Sequence, residues 1–154
     1  MSRFCLALLV FVTGCYLDVG TVVNVSPDAE GHVDAIAEGI EIMNDVLGHD
    51  VYRMQIAESG AQIDEEIVVR HHEGKFNIDK ETAQTERNRR GVIIRMRDKC
   101  NALCFAHELG HAGGLHHEAD PENMMFVRWG GTKLTEAQKR KVLMLDEDYR
   151  RGRE

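Results

Sequence analysis

The run His107-Glu108-Leu109-Gly110-His111-Ala112-Gly113-Gly114-Leu115-His116-His117 constrains this chain more than any other stretch. On a helix, His107 and His111 stand at i and i+4, so both imidazoles leave one face and reach one point. Neutral imidazole is a preferred zinc ligand, and two from one rigid helix are oriented before any ion arrives. Glu108 comes next along the helix, close to such an ion without having to bind it. A carboxylate there can take a proton from an activated water and pass it to a leaving amine. A catalytic zinc site takes three protein ligands and keeps one position open. Gly114 can adopt positive φ, letting the chain leave the helix and bring His117 round as the third ligand. His116 takes that role only if the turn is one residue shorter; otherwise it is an exposed neighbour.

The pattern His107-Glu108-x-x-His111-x-x-Gly114-x-x-His117 resembles the zinc signature of the metzincin metallopeptidases. The resemblance implies a methionine turn, a hydrophobic floor beneath the metal, and Asp120-Pro121-Glu122-Asn123-Met124-Met125-Phe126 lies at a suitable distance. By similarity to the matrixin form Met125 is the turn methionine, with Met124 the alternative. Leu134-Thr135 and the helix after it are similar to the closing helix of matrixin domains. Val92, Ile93, Ile94 and Arg95 occupy the place of the edge strand that holds substrate in that family. Two features depart from a single subfamily. Glu118 follows the third histidine, as in astacin-like enzymes, yet Val127 stands where those have Tyr. The likeness is dense over about residues 100–126 and only topological over 33–150.

Around this segment the chain reads as one α+β domain with a small, mostly antiparallel or mixed sheet. Ser26-Pro27 is a helix start, and Val33, Ile36, Ala37, Ile40, Met43 and Leu47 make one apolar face up to a stop at Gly48. Val51–Ala57, Ile63–His71 and Gly91–Arg97 read as strands. Gly74–Arg90 is polar and reads as an exposed connection. Thr135 with Gln138 makes a capping box before an apolar stripe of Leu134, Ala137, Val142, Leu145 and Tyr149. His71 and His72 are adjacent, so on a strand they point to opposite faces and cannot chelate one ion together. His32 and His49 lie near helix ends and carry no signal.

The N-terminus reads as an export signal over residues 1–14: a positive start and an apolar run too short to span a bilayer. Val12-Thr13-Gly14-Cys15 resembles a bacterial lipobox. It implies a lipid on Cys15, a tether or leading strand over 15–25, and a catalytic domain over 26–154. Location would then be a bacterial membrane, on the periplasmic side or the cell surface, or secretion if Cys15 is not lipidated. In an oxidising compartment Cys100 and Cys104 can form a local disulfide, with zinc ligation the other reading. The 26 acidic residues outweigh the 19 basic ones, for a formal charge of −7. No basic stripe exists to neutralise phosphates, so general nucleic-acid binding is disfavoured.

The expectation is a monomeric zinc-dependent endopeptidase acting on polypeptide, with His107, His111 and His117 as ligands and Glu108 as general base. The alternative is a non-catalytic zinc-binding surface lipoprotein that holds a protein partner in the same cleft. A non-peptide substrate, or a closed zinc site using a cysteine thiolate, would fit the same histidines.

Overall fold

The run Thr21–Val25 is β-branched except at Asn24, and such side chains favour an extended backbone packed on both sides. In the computed structural model, which describes residues 20–57, 67–74, 82–89, 91–128 and 130–151, this run is the strand β1. The other strands are β2 (Tyr52–Ile56), β3 (Ile67–His71), β4 (Ala83–Asn88) and β5 (Gly91–Met96). Their order across the sheet is β2-β1-β3-β5-β4. β1 pairs in parallel with β2 and β3, β3 does so with β5, and only β4 runs antiparallel, along β5. The sheet is therefore mixed, and it is mainly parallel rather than mostly antiparallel. Parallel neighbours need a crossover, and the chain between β1 and β2 supplies one as helix.

That crossover begins with a short 3₁₀ segment, Pro27–His32, where Pro27 supplies the fixed φ of a first helical position. The α-helix α1 follows over Val33–Leu47 and stops at Gly48 in the left-handed conformation. Ile36, Ile40, Met43 and Leu47 are buried, as their spacing predicts, while Val33 and Ala37 lie at the margin of that face. The second helix, α2 (Ala102–Ala112), packs along α1 over the same face of the sheet. Phe105, Leu109, Val23, Val69, Ile94 and Met96 join the α1 residues in one core. The third helix, α3 (Glu136–Arg151), starts at the capping box: the Thr135 backbone N–H donates to Gln138, and the Gln138 N–H donates to Thr135 Oγ1. Its buried side is narrower than expected. Leu134 and Val142 are buried and Leu145 half-buried, but Ala137 faces solvent. Nothing is described of the Tyr149 side chain.

Three expectations change. Residues 21–25 are a strand inside the sheet, the leading-strand reading rather than the tether. The stretch read as an exposed connection contains β4. Because β4 covers the outer side of β5, the segment Val92–Arg95 is not the edge. Val92 and Ile94 point into the core, and Arg95 pairs with Glu86 of β4. The presumed signal segment and Cys15 lie outside the described residues. Among the described residues, no helix is long and apolar enough to cross a membrane.

One buried charge ties α3 to the sheet. Asp146 accepts a hydrogen bond from the Thr21 hydroxyl at 2.7 Å. Burial pushes its carboxyl above the usual range against the opposing effect of Thr21. The folded chain then holds this proton more tightly than the unfolded chain, so Asp146 costs stability as pH rises through the carboxylate range. D146N should gain stability over the parent at pH 7, and the gain should shrink towards pH 4. Urea midpoints at the two pH values measure it.

Candidate metal centre and catalytic glutamate

The site is carried by α2, and both ends of that helix are fixed locally. At its start Asn101 is the N-cap, its side chain accepting from the Cys104 N–H at 3.0 Å. Cys100 and Cys104 are joined by a disulfide across this first turn, with Cα atoms 5.4 Å apart. So bonded, neither sulfur is a thiolate ligand. At the other end the Leu115 N–H donates to the Gly110 carbonyl and the Gly114 N–H to the His111 carbonyl. These two bonds make a Schellman turn, with Gly114 at φ 75° as the left-handed residue that such a turn requires.

The turn sends the chain back across the helix face and brings the third histidine to the first two. One ligand atom each from His107, His111 and His117 falls within 4.8 Å of the others. His111 Nε2 and His117 Nε2 are 3.1 Å apart. Two nitrogens bound tetrahedrally at zinc distances stand about 3.3 Å apart, so this pair already holds nearly the spacing that an ion would set. His107 is buried, His111 half-buried and His117 exposed, which leaves one side of the cluster open to solvent.

Which nitrogen is bare is decided by the backbone. His107 Nδ1 donates to the Met124 carbonyl at 2.7 Å, and His111 Nδ1 donates to the Leu115 carbonyl at 2.9 Å. Carbonyls only accept, so both rings carry their proton on Nδ1 and keep a lone pair on Nε2, the arrangement that orients histidine ligands. Burial pushes His107 down to about 4 against the raising effect of the Met124 bond, and burial lowers His111 in the same way. Both rings are thus neutral near pH 7, the state that binds metal.

Met124 and Met125 sit in a tight turn held by Asn123, whose side-chain oxygen accepts from the Met125 N–H at 2.9 Å and whose amide donates to Gln138. Met125 is fully buried, its sulfur packed against Gly110 of α2. A Cβ on Gly110 would stand 2.3 Å from the Met125 sulfur, so the helix needs glycine here for the methionine to close in. Met124 takes a different part, since its carbonyl orients His107.

Glu108 is buried, on the side of α2 that meets β4. The Thr85 hydroxyl lies 2.6 Å from Glu108 Oε2 and donates to that carboxylate. Arg87, two residues on, donates to the Ala112 carbonyl at the end of α2. Thr85 and Arg87 were not singled out from the sequence. Their signal is the i, i+2 spacing of a strand face, inside a segment with no other strand character.

The chain matches no known family model, and no curated protein matches it.

Gly114 joins the helix end to the third histidine, so its loss should be felt twice. G114A forces a Cβ into the left-handed region and to 3.0 Å from Leu145, at a cost of about 1–2 kcal/mol. Chemical denaturation should show that loss, and zinc titration should show weaker binding because His117 no longer comes round.

Proposed function

We propose that this chain is a zinc-dependent endopeptidase of metzincin type, with His107, His111 and His117 holding the ion and Glu108 acting as general base. The observation that carries the reading is a combination. Three histidine nitrogens converge, two of the rings with their tautomers set for ligation, and the buried carboxylate of the residue after His107 is oriented by Thr85. A purely structural zinc site has no use for that carboxylate, and closed sites take four protein ligands. The donor set suits zinc: three imidazoles, two of them held neutral by burial, one pair of nitrogens at nearly tetrahedral spacing, and one side exposed. Zinc bound there supplies a Lewis acid that polarises a peptide carbonyl and acidifies water.

The chain's own residues supply the rest. Glu108 accepts a proton from the attacking water and delivers it to the departing amide nitrogen, so the amine leaves neutral. Thr85, donating to Oε2, orients that carboxylate for the proton transfer. A polypeptide substrate would add as an extended strand to the sheet edge, bonding through its main chain. That edge is β4, not the Val92–Arg95 segment, and β4 carries the residue that orients the base. A lipid anchor on Cys15 and an export signal over residues 1–14 would place the domain outside the cytoplasm, consistent with the Cys100–Cys104 disulfide.

E108A should keep zinc at the parent's stoichiometry and lose peptide hydrolysis by roughly 10²–10⁴-fold, the usual contribution of a general base. Parent-level cleavage by E108A would overturn the assignment, and zinc in both proteins with cleavage in neither would favour the binding role. T85V should lower kcat with little change in KM, whereas T85S, which keeps the hydroxyl, should restore most of the rate. The comparison requires peptide hydrolysis kinetics on metal-matched samples.

A further inference from the structure

A second cluster of ligating side chains stands apart from the histidines of α2. His32 closes the 3₁₀ segment before α1, His71 is the last residue of β3, and Asp98 lies in the turn between β5 and α2. His71 and Asp98 are therefore at the carboxyl ends of neighbouring parallel strands, where open sheets of this kind bind ligands. One nitrogen from each histidine and one carboxylate oxygen fall within 4.8 Å of each other. We propose that His32, His71 and Asp98 form a second site for a divalent transition-metal ion of the zinc class, with solvent completing its shell.

The geometry supports this in three ways. His32 Nε2 and His71 Nδ1 face each other at 2.9 Å, and the same His71 nitrogen is 4.0 Å from Asp98 Oδ1. The atoms that would bind are thus the ones turned toward a common gap. The two rings are within 20° of coplanar, and their centroids are 5.2 Å apart, as far as that nitrogen contact allows. They therefore meet edge to edge, and both ring nitrogens direct their valence into the gap rather than past it. Only a proton or a cation can sit between two such nitrogens. An ion requires the gap to widen to about 3.3 Å, and small rotations of His71 and of the exposed Asp98 side chain supply that movement. The donor set is borderline nitrogen plus one hard oxygen, which favours zinc-like ions over calcium or magnesium.

An ion here would join three segments that are far apart in sequence: the start of α1, the end of β3 and the approach to α2. Asp98 is two residues before the Cys100–Cys104 disulfide, so the ion would brace the lead into the active-site helix. The inference does not depend on peptidase activity.

The test is metal stoichiometry on the full chain. H111A/H117A disables the first site, and cobalt absorption with zinc calorimetry then reports what remains. The expected result is two ions per parent chain and one in H111A/H117A, with that ion's affinity falling roughly tenfold or more on adding D98N or H71Q. Asp98 is exposed, so D98N keeps the test valid even if a change at buried His32 prevents folding. One ion per parent chain, lost in H111A/H117A, would show a hydrogen-bonded histidine pair only and overturn the proposal. So would a remaining ion indifferent to both D98N and H71Q. One ion per parent chain that survives H111A/H117A and weakens in D98N would support this site while removing the first.

Discussion

Two backbone carbonyls govern the candidate centre. Those of Met124 and Leu115 accept from the Nδ1 protons of His107 and His111, and so leave the Nε2 lone pairs facing each other's neighbourhood. Rotate either carbonyl away and the ring is free to change tautomer, so the i, i+4 spacing no longer guarantees a ligand pair. The irregular chain after α2 therefore matters as much as the helix. The Schellman turn at Gly114 puts the Leu115 carbonyl in place, and the Asn123-centred turn does the same for Met124.

Those turns are in turn held by the fold around them. The Met124 N–H donates to the Lys133 carbonyl and Asn123 to Gln138, so the loop beneath the histidines is stitched to the start of α3. On the other side β4 grips α2 at two points, through Thr85 to Glu108 and Arg87 to Ala112. The helix is thus held at Glu108 and at its carboxyl end by one strand. Its amino end is held by Asn101 and the disulfide.

What was legible in the sequence was local. The ligand spacing, the left-handed glycine, the capping box and the apolar face of α1 are each fixed by residues within a turn or two of one another. What was not legible depends on distant partners. β4 has one β-branched residue, Thr85, in Ala83–Asn88; pairing with β5 and its grip on α2 make it a strand, and neither has a local signature. The same holds for His71. His32 reaches it from 39 residues away, which single-segment patterns do not reveal. The predominance of parallel pairs within the mixed sheet was not legible for a related reason: alternation along a strand says which face is buried and nothing of a neighbour's direction.

The position of Thr85 on β4 has a further consequence for any chain that adds to that edge. Successive residues of a strand face opposite sides of the sheet, with a repeat of two. The carboxylate of Glu108 is fixed to one pleat of β4, so an added strand is read in a frame set by that pleat. Sliding the added chain by one residue turns every side chain over, whereas sliding it by two restores the same facing. Selection among registers would therefore come in steps of two residues, dictated by the pleat itself before any side-chain pocket is consulted.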